Sequence, residues 1–244
     1  GPVNDEGFCN KAVNLGWNGM VDLEGELNKL TGFNIKGGND ANVAALGEVY
    51  YGAAKGYSDA ALFTLGTGVG GGIIIDGKLY EGNEGKGAEM GHISLVMDGE
   101  PCGCGRRGCF EQYASATALI RMTKKAMEDH KDSIMWNLVN GDITKVNGVV
   151  AFDAEKVGDA YAHEVIEQYI KYLSEGILNY CNILRPEAVI LSGGIANQGS
   201  YLNDRITKYC LDKKFGYEGA PASVILTAVL GYQSGMVGAA ALFY

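Results

Sequence analysis

Between Gly91 and Glu111 the sequence GHISLVMDGEPCGCGRRGCFE holds one histidine and three cysteines, in a chain of 244 residues with 3 histidines and 6 cysteines in all. His92, Cys102, Cys104 and Cys109 offer one imidazole and three thiolates. Such borderline-soft donors complete a tetrahedron around zinc and suit calcium or magnesium poorly. Four protein ligands leave no open position, so the ion is expected to be structural. Three thiolates on a divalent ion leave about one net negative charge, which Arg106 and Arg107 in the same loop can offset. The alternative is three reduced cysteines in a glycine-rich loop whose conformational freedom would then go uncompensated.

Carboxylates flank this cluster. A zinc-bound histidine keeps its second ring nitrogen for hydrogen bonding; Glu89 lies three residues before His92, and Glu111 two residues after Cys109. Acids and an imidazole fixed around one cavity are partners for the hydroxyls of a neutral polyol. Equally, Glu89 and Glu111 can be surface residues or can orient the ligands. The stretch GGNDANVAALGE sets Asn39 and Asp40 immediately ahead of a helix. Either one can simply cap it. A carboxylate at the positive end of a helix is also fixed in direction and suited to taking a hydroxyl proton.

Two glycine-rich turns complete the chemistry. LGTGVGGG, Leu65 to Gly72, lacks the Lys-Ser/Thr ending of a Walker loop and leads into a strand rather than a helix. Its amides around Gly66, Thr67 and Gly68, with the Thr67 hydroxyl, can form a nest for phosphate oxygens; a tight structural turn is the competing explanation. Gly193 and Gly194, in EAVILSGGIANQG, can let a flat ring lie against the backbone.

These residues need elements to hold them. Ala61 to Leu79 reads as strand, glycine turn and second strand, closing on a hairpin at Asp76-Gly77. Glu187 to Gly199 reads as a buried strand and paired glycines, followed by a helix from about Ser200. Strand, glycine, helix is the α/β habit. Val43, Leu46, Gly47, Tyr50, Tyr51 and Ala54 form one helical stripe, and Ile166, Tyr169, Ile170, Leu173, Ile177, Cys181 and Leu184 a longer one. A helix is expected over 112–127. Residues 129–152, polar and weakly patterned, are expected to form an insertion or lid.

Composition narrows the class. Hydrophobic residues at 47% and charged residues at 20% are ordinary globular values. A formal charge of -9 has the wrong sign for a nucleic-acid partner. No stretch is long and apolar enough for a membrane span, and the N-terminus shows no leader pattern, so a cytoplasmic location is expected. Cys9, Cys181 and Cys210 stand apart, and a chain of this size needs no disulfide framework.

Together these pieces resemble the ROK family of bacterial sugar kinases and repressors, within the actin and hexokinase superfamily, over nearly the whole chain. The family pattern G-H-x9-C-x-C-G-x-x-G-C-x-E fits Gly91, His92, Cys102, Cys104, Gly105, Gly108, Cys109 and Glu111 without departure. E-x-G-H fits Glu89 to His92, and N-D-A-N fits Asn39 to Asn42. LGTGVGGG looks like the family's second phosphate motif, and LSGGIANQG is similar to its adenosine-contacting segment. The resemblance implies structural zinc, with His92 facing both metal and sugar. It implies Asn39, Glu89, His92 and Glu111 as binders of sugar hydroxyls, Asp40 as general base, and Gly66, Thr67, Gly68, Gly193 and Gly194 as nucleotide contacts. The implied activity is transfer of the ATP γ-phosphoryl group to a hexose with magnesium. Glucose is preferred, because GRRGCFEQYASATAL looks more like the glucokinase members than the N-acetylhexosamine ones; fructose, mannose or an N-acetylated amino sugar would keep the mechanism.

The implied fold is α/β, two-lobed and actin/hexokinase-like (ribonuclease H-like). Residues 1–57 would be the remnant of a small lobe, 58–231 the large lobe, and 232–244 a helix returning toward the small lobe. One departure stands out: the family's D-x-G-x-T hairpin, which holds the transferring phosphate and its magnesium, is not found. The chain opens at GPVN, several strands into the family's small domain. It is therefore expected to be N-terminally truncated, its small lobe incomplete, with a sheet edge exposed and catalysis impaired. The family also contains repressors that carry a sugar-sensing domain behind a DNA-binding one, and its members are often homodimers.

Overall fold

The structure, a computed structural model, describes residues 3–4, 6–12, 16–213 and 222–243. Gly1 and Pro2, which open the GPVN stretch, and Tyr244, which ends the 232–244 segment, lie outside the described residues.

A mixed five-stranded sheet forms the centre. Its strands are β3 (Ala60–Leu65), β4 (Val69–Ile75), β5 (Lys78–Tyr80), β6 (Ala188–Ser192) and β7 (Val224–Thr227), in the order β5-β4-β3-β6-β7. β3 pairs antiparallel with β4 and parallel with β6, which runs parallel to β7. The Asp76-Gly77 turn joins β4 to β5 as expected. Both residues have positive φ, 52° and 74°, the requirement of a two-residue hairpin turn that follows the strand twist. A separate antiparallel pair, β1 (Phe8–Ala12) and β2 (Trp17–Asp22), leads into α1 (Leu23–Thr31).

Both faces of the central sheet are covered, so its strands read as apolar runs. Ala61, Phe63, Leu65, Val189 and Leu191 point into the larger core beneath α4 (Ala116–Asp129), α6 (Val150–Lys156) and α7 (Ala160–Leu184). Ala60, Leu62, Ile74, Ala188 and Ile190 point the other way, toward α2 (Asp40–Tyr51) and α9 (Ser234–Ala241). Leu62 and Phe63 are neighbours in sequence, each 0% exposed in its own layer. Truncating either to alanine should cost roughly 2–5 kcal/mol.

Two helices explain how the site is held. In α7 the expected stripe from Ile166 to Cys181 is buried, and Leu184 packs against the same core. The helix stops at Arg185, whose φ of 48° is left-handed and precedes Pro186. Its Tyr180 hydroxyl donates to the Met90 carbonyl (2.8 Å) and its Tyr169 hydroxyl to that of Ala114 (2.7 Å). α2 packs against α9 through glycines: a Cβ on Gly238 would fall inside the Val43 carbonyl, and one on Gly47 would lie 2.6 Å from the Ser234 oxygen. Gly47 thus sits on the buried stripe because only a bare backbone fits there.

Two expectations need correction. Residues 129–152 are not a lid. α5 (Met135–Leu138) and α6 bury Met135, Val150, Ala151 and Phe152, with Val139 and Val146, in the larger core. The Asp159 carboxylate draws the segment in by accepting from the Ser133 hydroxyl (2.8 Å) and the Ile134 amide while capping α7 through Ala162 (2.8 Å). The helix expected over 112–127 is two, α3 (Glu111–Ala114) and α4, because Ser115 leaves helical geometry to cap the second through Ala118.

Candidate functional site

Backbone hydrogen bonds shape the cysteine loop. Leu95 and Val96 donate to the Gly108 carbonyl, Cys102 to that of Arg106, and Phe110 to that of Ile93. Gly105 and Gly108 have φ of 89° and 76°, and a Cβ on Gly108 would strike the Val96 carbonyl. Left-handed backbone at both points lets the chain double back so that its sulfurs converge. The ligand atoms of His92, Cys102, Cys104 and Cys109 all lie within 4.8 Å of one another. Cys102 Sγ is 3.7 Å from His92 Nδ1, and Cys104 Sγ is 3.6 Å from Cys109 Sγ. A tetrahedral zinc with Zn–S of about 2.3 Å sets its sulfurs about 3.8 Å apart, whereas a disulfide needs about 2.05 Å. The four residues therefore fit a closed tetrahedral ion. Nδ1 faces it, leaving Nε2 of His92 without a partner among the described residues.

The loop's electrostatics point the same way. Burial, then the neighbouring sulfurs, push the Cys109 thiol up to about 12. The Arg106 backbone amide, first among several causes, lowers Cys104. A bound divalent cation reverses the penalty on Cys109 and holds all three as thiolates. The Arg106 guanidinium reaches the His92 carbonyl (3.0 Å) and that of Arg107 the Asp98 carbonyl (3.3 Å). Both cations thus stand around the cluster rather than within it.

A second convergence of possible ligands, Glu155, His163 and Glu167, is of another kind. The Arg205 guanidinium already contacts both Glu155 oxygens (3.2 Å each) and Glu167. Tyr201 donates to Glu155, and His163 Nδ1 lies 2.7 Å from it. These acids have a protein cation, so they form an ion-pair network.

Asn39 settles which residue caps α2: its side-chain oxygen accepts from the Ala41 amide (2.9 Å) and the Asn42 amide (3.3 Å). Asp40, the first residue of α2, is exposed, and its carboxylate has no hydrogen bond or ion pair among the described residues. The first turn of α2 rests on β4. A Cβ on Gly70 would meet Ala41, and one on Gly72 would meet Ala45 and Asn42. On the other face, Gly71 admits Met90, and the carbonyl of Val69 abuts Gly91. The run Gly70–Gly72 is therefore there for close packing: it lets the Asp40 helix and the His92 turn press on one thin strand.

The turn Gly66–Gly68 is clamped by the start of α4, with Ala116 N–H donating to the Gly66 carbonyl (2.8 Å) and the Thr117 hydroxyl to that of Thr67 (2.8 Å). Beside it, at the carboxyl ends of β3, β6 and β7, lies a cavity of about 320 Å³. Gly66, Gly193 and Gly194 line it with Ser192, Asn197 and Thr227. Ligands of open α/β sheets bind at this end. Gly193, at φ 87°, packs so tightly on Leu65 that a Cβ would lie 2.6 Å from its carbonyl oxygen. Thr67, at the turn's exposed tip, and Gly68 are not among the residues lining the cavity.

Glu111 ties these parts together. Its Oε2 accepts from the Val69 amide (3.2 Å) directly over Gly68, and its Oε1 lies 3.8 Å from Cys102 Sγ. It is thus already partly engaged between the cysteine loop and the glycine turn. Glu89 is exposed, with no side-chain partner among the described residues. Ser192 and Asn197 fall within the LSGGIANQG segment though neither was singled out, and Thr227 was not legible as a cavity residue, since nothing local marks it. Glu48 was missed although it carried a signal: it is the one charged residue in the run Val43–Tyr51 of α2, and it is 0% exposed.

Comparison with known proteins places this arrangement. The ROK family model matches residues 1–244, and the chain belongs to the ROK family. Its fold is the α/β, actin/hexokinase-like one of that family's kinases. It is 35% identical over 240 residues to a glucokinase of Halalkalibacterium halodurans, covering 96% of this chain and 70% of that one. It matches the crystal structure of a ROK family glucokinase from Streptomyces griseus, in complex with glucose and AMPPNP, with a TM-score of 0.86 and 36% identity. That match covers 99% of this chain and 78% of the other. It is also 34% identical over 159 residues to a xylose repressor of Bacillus spizizenii, covering 64% of this chain and 37% of that one.

Proposed function

We propose that the chain is an ATP-dependent hexose kinase, with glucose as its acceptor and glucose 6-phosphate as its product. The observation that carries this reading is the division of labour at the start of α2: Asn39 caps the helix, so the Asp40 carboxylate is left free beside the strand that supports the His92 turn. A glucokinase relative and a glucose- and AMPPNP-bound neighbour support the substrate and the nucleotide.

In this reading Asp40 takes the proton of the attacking hydroxyl. Asn39 and Glu89 grip sugar hydroxyls, with Nε2 of His92 and the outer face of Glu111. The nucleotide occupies the cavity lined by Gly66, Gly193 and Gly194, with Thr67 and Gly68 turned toward its phosphates. Phosphoryl transfer through a loose transition state asks mostly for alignment and electrostatics, so the protein's work is chiefly positioning. Zinc on His92, Cys102, Cys104 and Cys109 supplies rigidity to the sugar-facing loop. Magnesium belongs to the nucleotide's phosphates. The described residues lining the cavity include no carboxylate to hold it.

The lobes divide at about residue 57, and residues 232–244 return to the small lobe; the packing of α9 on α2 supports that return. No helix among the described residues is long and apolar enough to cross a membrane. A cytoplasmic homodimer completes the reading on the family resemblance.

The test is phosphorylation of a hexose panel with ATP, using wild type and Asp40→Asn. We expect glucose to be fastest and Asp40→Asn to lose roughly 10²- to 10⁴-fold in kcat with little change in glucose affinity. No phosphorylation of any hexose would sink the kinase reading in favour of a sensor domain, to which the likeness to a xylose repressor points. Equal rates on N-acetylated sugars would remove the glucose preference.

A further inference from the structure

We infer that Glu48 is a positioning residue for nucleotide binding: it locks the wall of the nucleotide cavity to the helix that carries Asp40. The inference deepens the kinase reading and rests on its assignment of that cavity.

Glu48 lies in the third turn of α2 and is 0% exposed. Its carboxylate spans two segments far apart in sequence. Oε2 accepts from the Ala53 amide (2.8 Å), just past the end of α2, and from the Val229 amide (3.2 Å); Oε1 accepts from the Leu230 amide (2.9 Å). Gly52 is required beside it, because a Cβ there would overlap the carboxylate.

Val229 and Leu230 belong to the connection between β7 and α9. The residues around them, Thr227, Ala228, Gly231 and Tyr232, form one wall of the cavity, opposite Gly193 and Gly194. That wall is tied to the sheet at Ala228, whose amide donates to the Leu191 carbonyl (2.8 Å). Beyond it the next two amides both go to Glu48. Val229 is exposed and Leu230 half-buried, yet both amides turn inward to the buried Glu48 carboxylate, which makes stronger bonds to them than a neutral group. The nine residues from Asp40 to Glu48, eight helical steps, form a rigid rod of about 12 Å. The same helix therefore carries the proposed base at one end and the cavity wall near the other.

Glu48→Gln keeps the volume but offers one acceptor oxygen and turns an amide N–H toward backbone donors. The test measures AMPPNP and glucose binding separately by calorimetry, with ATP and glucose KM alongside. We expect the AMPPNP Kd and ATP KM to rise roughly 10- to 100-fold, the range of one or two lost bonds to a charged acceptor. Glucose Kd and KM should stay within about twofold. An unchanged AMPPNP Kd overturns the inference. So does a parallel loss of glucose and AMPPNP affinity, which marks a merely structural role.

If Glu48→Gln does not fold, Leu230→Pro asks the same question from the other side. Its φ of -80° suits proline, and the substitution removes one donor without touching α2; the same selective rise in AMPPNP Kd is expected, and its absence overturns the inference. A wild type that binds AMPPNP but phosphorylates no sugar defeats the kinase reading alone, since the Kd comparison still decides the role of Glu48. A wild type that binds no AMPPNP defeats both.

Discussion

Among the described residues two clusters of donors bring their ligand atoms within 4.8 Å of one another, and only one of them has no protein cation in its midst. His92, Cys102, Cys104 and Cys109 converge with no cation among them; the nearby arginines turn their guanidinium groups to backbone carbonyls. Glu155, His163 and Glu167 converge on Arg205, which already contacts both acids. Proximity of donors is therefore not enough. What separates a metal centre from an ion-pair network is whether the protein has already supplied the positive charge.

The largest effect expected is from removing the ion. Chelation, or Cys109→Ala, should destabilise the domain by roughly 4 kcal/mol or more, because the loop's order rests on its ligands. Calorimetric unfolding with metal analysis checks this, and wild type should hold one zinc per chain. Two would erase the distinction between the clusters.

Next comes Arg205→Ala. Glu155, whose side chain is 8% exposed, loses its cation, and breaking such a pair costs roughly 3 kcal/mol. The variant should also gain a weak second zinc site, detectable by titration; no gain would show that the second cluster lacks metal geometry even when uncovered.

Asp159→Ala should cost roughly 2 kcal/mol through the lost cap of α7 and the lost bonds to Ser133 and Ile134. Zinc content should stay unchanged, since this segment is independent of the cysteine loop. Loss of zinc in the variant would join the two regions.

The smallest and broadest effect is that of acid. Burial alone would raise Glu155 and Asp159. Bonds from Tyr201, Arg205 and His163 to the first, and from Ala162, Ser133 and Ile134 to the second, outweigh it and leave both below the usual carboxylate range. A depressed folded pKa contributes stability that is present above the unfolded value, about 4, and is lost as pH falls through the folded value. Denaturant midpoints should hold from about pH 7 to 5 and decline below about 4. Asp159→Asn should flatten part of that decline.

The cysteine loop was legible because its requirement is chemical: rare residue types at fixed spacing announce a ligand set whatever surrounds them. The hairpin at Asp76-Gly77 and the stripe of α7 were legible because local backbone and helical period fix them. Residues 129–152 were misread for the opposite reason. Their apolar residues, Met135, Val139 and Val146, follow no single period, and the Asp159 carboxylate that draws them inward lies beyond them in sequence. Asn39 and Asp40 stood side by side with equal claims to the cap, and only the coordinates show that Asn39 takes it.

The sequence by itself brought out the His/Cys cluster and the α/β order of elements and, through the resemblance its motifs carry, the family. The first two follow from side-chain chemistry and from backbone preferences a few residues long. Tertiary structure alone decided that Gly70–Gly72 serve packing, that Glu111 bridges two loops, and that Glu48 joins α2 to a connection 181 residues away. Those are contacts between segments distant along the chain, and the fold alone brings them within reach of a hydrogen bond.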